Sequence, residues 1–94
     1  SQRRRTMADD TPTADEIDWH FVAMGHSVDL INDTIADNTS ALKLYGTAEE
    51  VNLMVTRNTD HLELQLGRDW AIADGRSKTS YTDAITAGKA YVAG

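Results

Sequence analysis

Ile17, Phe21, Met24, Val28, Ile31 and Ile35 follow one another at intervals of 4, 3, 4, 3 and 4 residues. An α-helix that meets another surface along a seam puts such positions on one line, and a strand does not. Directly ahead stand Thr13 and Glu16, the pattern of a capping box in which a hydroxyl and a carboxylate satisfy two orphan backbone N–H groups. Spacing and cap together predict a helix that begins at Ala14. Trp19, Val22, Ala23, His26 and Leu30 add a second apolar flank, which points to burial on more than one side. Gly25 costs such a helix up to about 1 kcal/mol relative to Ala, and it reads as a point of close approach to a neighbouring backbone.

Beyond this helix, Asp37, Asn38, Thr39 and Ser40 carry side chains that compete for backbone hydrogen bonds, and Gly46 follows soon after. The first connection is expected within residues 36–46, the alternative being a frayed extension of the first helix to Leu44. Thr47 and Glu50 form a second capping box, after which Val51, Val55, Asn58, Leu62 and Leu66 share a helical face. The same segment also alternates, with Val51, Leu53, Val55 and Leu62, Leu64, Leu66 flanking Arg57-Asn58-Thr59-Asp60, so a hairpin over 51–66 competes with the helix. The cap and the abundance of Glu, Leu, Met, Gln and Arg favour the helix, with Trp70 and Ile72 closing it before Asp74-Gly75. A polar turn over 74–79 leads to a last helix capped at Ser80, with Tyr81, Ala84, Ile85, Gly88, Tyr91 and Val92 on one face. The expected fold is all-α: two longer helices plus a short C-terminal helix, packed as a helical hairpin or small bundle.

A chain of 94 residues with no Cys and twelve Ala among its apolar residues has few large side chains with which to build a core, and no disulfide to supplement it. That scarcity points toward association with copies of itself or with a larger assembly. No apolar run reaches the roughly 18–20 residues that a membrane span needs, and no signal-peptide core stands near the start, so a soluble protein with no membrane partner is expected. Residues 1–13, which contain the only proline, read as a flexible tail; residues 14–94 read as a single small helical domain. The tail is either a remnant ahead of Met7 or a native terminus.

Charge is segregated along the chain. Arg3, Arg4 and Arg5 stand in residues 1–7 without an acid, whereas residues 8–37 carry eight acids and no Lys or Arg; the remainder has six bases against seven acids. A net charge of −6 argues against nucleic-acid binding by the domain and leaves the Arg tail as the one segment suited to gripping phosphate or an acidic neighbour. Asp29, Asp33 and Asp37 form a like-charged ridge at helical spacing. The ridge is either a solvated face or an acidic ligand for a basic pocket, including mimicry of a row of DNA phosphates.

Catalytic chemistry has little to work with. There is no Cys, Ser and Thr fall mainly in caps and turns, and the six Gly stand singly, so neither a nucleophile motif nor a phosphate-cradling loop is present. Three His stand near carboxylates, but none forms Glu-x-x-His or His-x-x-x-His. The chain is therefore read as a non-enzyme without cofactor or metal. Ile17, Phe21, Met24, Val28, Ile31 and Ile35 are the candidate interface, equally readable as the core seam of a bundle. Arg3, Arg4, Arg5, Asp29, Asp33 and Asp37 are the candidate partner contacts, and Trp19 and Trp70 are either core or anchors.

Residues 57–66, containing Arg-Asn-x-x-His-Leu-Glu, and residues 80–92, containing Ala-Ile-x-x-Gly-x-x-Tyr-Val, resemble the C-terminal half of small proteins encoded by marine tailed phages. The resemblance covers about forty residues, leaves out the acidic first helix and brings no catalytic residue with it. It implies a virion-associated or accessory phage protein, located in the virion, or otherwise in the cytoplasm. The expected function is structural: burial of the seam on assembly, with specificity from the charged flanks. The competing reading is a small acidic inhibitor of a basic nucleic-acid-binding protein.

Overall fold

The computed structural model describes residues 11–94, and every regular element in them is helical. The order is α1 (Ala14–Ala36), α2 (Asn38–Tyr45), α3 (Ala48–Leu66), α4 (Asp69–Ala73) and α5 (Thr79–Ala93). The all-α expectation holds, with five helices where three were expected.

Helix α1 opens as its sequence dictates. Thr13 N–H donates to Glu16 Oε1 at 2.8 Å, and Glu16 N–H donates to Thr13 Oγ1 at 3.2 Å, closing the capping box. Its end rests on a single residue. Asp37, at φ −141° and ψ 81°, leaves helical geometry while its carboxylate accepts from the Ser40 N–H at 3.1 Å and the Ser40 hydroxyl at 2.8 Å. The polar run expected to be a connection is therefore helix α2: Asp37 caps a new helix instead of starting a loop. Gly46, at φ +96°, ends α2 in a conformation that only Gly adopts without strain.

The Thr47 hydroxyl then accepts from Glu50 N–H at 3.1 Å and starts α3, which runs unbroken through 51–66 and removes the hairpin alternative. The expected continuation to Ile72 does not occur. At Gly67 the chain leaves α3, and Arg68 restarts it as the one-turn α4. Helix α5 begins at Thr79, one residue ahead of the expected cap at Ser80, with no side-chain cap bond.

Helices α1, α3 and α5 pack pairwise into a three-helix bundle, with α2 laid against α1 and α3. Phe21, Met24, Val28 and Ile31 from α1 cluster with Leu62 from α3, Ala71 from α4 and Ala84 from α5, and Val51 and Val55 of α3 are also fully buried. Each enclosed side chain of this size contributes about 1.5–3 kcal/mol relative to exposure. Ile17, Leu66, Trp70, Tyr81 and Ile85 cover the rim half-buried. Of the α5 face read from sequence, only Ala84 and Gly88 are buried, so α5 packs by proximity of backbone rather than by bulk. Gly88 lies so close to α3 that a Cβ there would overlap the Thr59 hydroxyl and touch Val55 Cγ1 at 3.5 Å. Gly25, expected to serve such an approach, has nothing near its missing Cβ.

Polar contacts tie the ends of the bundle. The Arg76 guanidinium donates to Asp18 Oδ1 at 2.8 Å and to Asp74 Oδ1 at 2.7 Å while lying 4.1 Å from the Phe21 ring centroid, joining the α4–α5 link to α1. Lys89 pairs with Glu63 at 2.6 Å across α5 and α3.

Candidate functional site

The seam read as an interface is already occupied. Phe21, Met24, Val28 and Ile31 are at most 8% exposed, covered by α3 and α5 of the same chain. Ile17 is half-buried against the same core and Ile35, past its end, is 43% exposed. The 4-3-4 spacing marks an internal core seam, because the chain supplies from α3 and α5 the surface that the seam requires. No second copy is needed to bury it.

What remains open is the opposite face of α1. At about 100° per residue, Trp19, Val22, His26 and Leu30 line up away from the core. Trp19 is 71% exposed, Val22 59% and Leu30 40%, with His26 and Ala23 also at the surface. The second apolar flank seen in the sequence is thus real but uncovered. At its C-terminal end Leu30 leads into a groove of about 410 Å³ where α1 and α2 diverge, lined also by Asp33, Asp37, Ala41, Leu44 and Tyr45. Leu44 on the far wall is 75% exposed. Exposed apolar side chains therefore recur from Trp19 to Leu44, interrupted by His26 and by Asp33 and Asp37 of the groove, and surface tryptophan next to aliphatic side chains is the composition typical of contact surfaces.

The acidic ridge borders this strip. Asp29 and Asp33 are exposed on α1, while Asp37 is engaged as the α2 cap. Hydrogen bonds from the Ser40 N–H and hydroxyl hold the Asp37 carboxyl below its ordinary value. Asp74 is likewise held down, first by the hydrogen bonds from Arg76, and the Arg76 guanidinium is pushed up in return. Arg3, Arg4 and Arg5 lie outside the described residues.

The two tryptophans separate. Trp70 is half-buried, stacked on His20 at 4.8 Å between centroids and edge-on to Phe21 at 5.8 Å, so it is a core-rim residue. Trp19 has the exposure of an anchor. The histidines converge on nothing: among the described residues no group of three or more His, Asp or Glu is placed to hold a metal ion. No described helix is long and apolar enough to cross a membrane. The groove at Leu44 and Tyr45 was missed from sequence, since it depends on the one-residue break at Asp37, which residue spacing does not reveal. No family model, curated protein or solved structure matches the chain.

Proposed function

We propose that this chain is a non-enzymatic structural protein, a small virion-associated component of a phage, which docks onto its assembly through the outer face of α1. The observation that carries the reading is Trp19, 71% exposed beside Val22 on a helix whose other face is fully used by the core. A tryptophan left in water forgoes a large burial gain, and a partner surface recovers it. The virion setting draws on the resemblance of residues 57–66 and 80–92 to proteins of marine tailed phages; the docking face draws on exposure alone. The test is quantitative mass spectrometry of gradient-purified particles assembled with this chain encoded. A fixed copy number per particle that falls sharply for the folded Trp19→Ser/Val22→Ser variant supports the reading. Absence from the particles overturns the virion assignment, and presence indifferent to the two substitutions overturns the docking face.

A second reading has its own support in Asp29 and Asp33, which stand exposed side by side on α1. In it the chain is an acidic inhibitor presenting this ridge to a basic nucleic-acid-binding protein. Asp29→Asn with Asp33→Asn abolishes the inhibition if this reading holds. Asp37 is left intact in that experiment because its carboxylate caps α2.

A further inference from the structure

The groove between α1 and α2 combines apolar walls with polar groups of one kind, and together they select a ligand class. We infer that it binds a small amphiphilic cation, a primary ammonium on an aryl or alkyl body, with the body between Leu30 and Leu44 and the ammonium at Asp33 and Asp37. The inference is independent of the docking reading, since it concerns a free small molecule and involves neither Trp19 nor Val22.

The groove exists because of one residue. Asp37 leaves helical geometry, so α2 departs from α1 at an angle instead of extending it, and Leu30 and Leu44 come to line one space. Its volume of about 410 Å³ falls within the roughly 300–1,000 Å³ of small-molecule sites. A lysine side chain reaching in from a neighbouring protein would leave much of that space to water, whereas a ring or short alkyl chain bearing its own ammonium uses it. Ala41 and the half-buried Tyr45 complete the apolar lining. Leu30 and Leu44 are exposed, so an occupant removes apolar area from water on both walls.

The polar lining fixes the sign of the ligand. Asp33 and Asp37 are the charged residues of the groove, and no Lys or Arg lines it. Its two aliphatic hydroxyls are already committed: Thr34 donates to the Leu30 carbonyl at 2.8 Å, and Ser40 donates to Asp37 Oδ2 at 2.8 Å. Tyr45 alone offers the groove an uncommitted side-chain donor, against two carboxylates. Such a lining accepts a positively charged donor and rejects a carboxylate or phosphate. Asp37 remains available as an anion, because the bonds from Ser40 hold its carboxyl below the ordinary range and each oxygen keeps a further lone pair. The last turn of α1 contains no basic residue, so its dipole adds to the negative field, while the first turn of α2 opposes it. The two helix ends offset one another, and the carboxylates decide.

The groove is open to solvent and its carboxylates are exposed, so the expected affinity is modest, with a Kd of about 0.1–1 mM at low salt.

The experiment follows amide chemical shifts of the isotopically labelled full chain during titration with phenethylammonium up to about 10 mM in about 50 mM NaCl. Hydrocinnamate and hydrocinnamyl alcohol serve as the anionic and neutral counterparts. Saturable shifts centred on residues 30–45 are expected for the ammonium, binding about tenfold weaker for the alcohol, and no saturable shift for the carboxylate. Asp33→Asn and Leu44→Ser should each weaken the ammonium about three- to tenfold. Both positions are exposed, and circular dichroism verifies the fold of each variant. Asp37 is left intact because it caps α2. Should one variant lose helix, the other variant and the ligand series decide. Shifts that never saturate, shifts spread equally over the acids of the first turns of α1, equal binding of the alcohol, or an affinity unchanged in a folded Asp33→Asn or Leu44→Ser protein would each overturn the inference.

Discussion

Gly88 and Thr59 should behave as one unit, and a double-mutant cycle measures it. In isolation, Gly→Ala within a helix such as α5 gains about 1 kcal/mol. Here the added Cβ falls on the Thr59 hydroxyl and 3.5 Å from both Thr59 Cβ and Val55 Cγ1. Thr59 is 3% exposed and Val55 fully enclosed, so relieving the overlap means shifting packed side chains. Overpacking of this kind costs about 1–3 kcal/mol; an overlap this deep with a buried side chain puts the cost in the upper half, and Gly88→Ala should be net destabilising by about 1–2 kcal/mol. Thr59→Ala removes a methyl group, at about 0.8 kcal/mol plus a small cavity. It also removes a buried hydroxyl that has no hydrogen-bond partner among the described residues, which offsets that loss. The single change should lie within about 1 kcal/mol of wild type. In Thr59→Ala/Gly88→Ala the new methyl occupies the vacated space, so the helix gain reappears and the coupling reaches about 2 kcal/mol. Thermal unfolding followed at 222 nm at one protein concentration reads this directly, because 1 kcal/mol moves the Tm of a domain this size by about 4–8 °C. The close-approach argument is refuted if Gly88→Ala raises the Tm, or if the two substitutions add to within about 0.5 kcal/mol.

Two further outcomes are expected. Leu62→Ala should cost about 2–5 kcal/mol because Leu62 is fully enclosed, whereas Leu64→Ala, at a position 57% exposed, should stay near 0.5 kcal/mol; equal effects in urea titrations would contradict the helical register of α3. Asp37 and Asp74 are held below their ordinary value of 3.8 in the fold, so the unfolded chain takes up protons more readily. Their stabilisation is present above about pH 4 and is lost as pH falls through the depressed folded values. Melts between about pH 6 and 3 should show a falling Tm, made shallower by Asp37→Asn, which keeps the cap but not the titration; a Tm that holds or rises in acid would contradict the sign.

The helices were legible where the sequence carried a cap and a period together. Thr13 with Glu16 and Thr47 with Glu50 located the starts of α1 and α3, and the 4-3-4 run located the core face of α1. Whether that face met the same chain or another was not legible, since periodicity states that a stripe is buried and not against what. The answer lay in residues 62, 71 and 84, each remote in sequence. Helix α2 was missed because Asp-Asn-Thr-Ser suits a turn and a cap equally well, and only the Asp37 dihedrals decide between them. The glycines were similarly ambiguous: Gly25 and Gly88 both interrupt helices, and which one admits a neighbour is set by where α3 lies.

The distance along the chain between Phe21 and its neighbours has a consequence for synthesis. The ring of Tyr81 and the guanidinium of Arg76 both close over Phe21, yet neither is made until more than fifty residues after it. At about 5–20 residues per second, a ribosome leaves the core side of α1 uncovered for several seconds. During that interval the nascent helix carries its acids without a single Lys or Arg between residues 8 and 37. Mutual repulsion between neighbouring nascent chains would then hold their sticky stripes apart until α3 and α5 emerge, so the same carboxylates that edge the finished surface would act earliest as a safeguard against premature clumping.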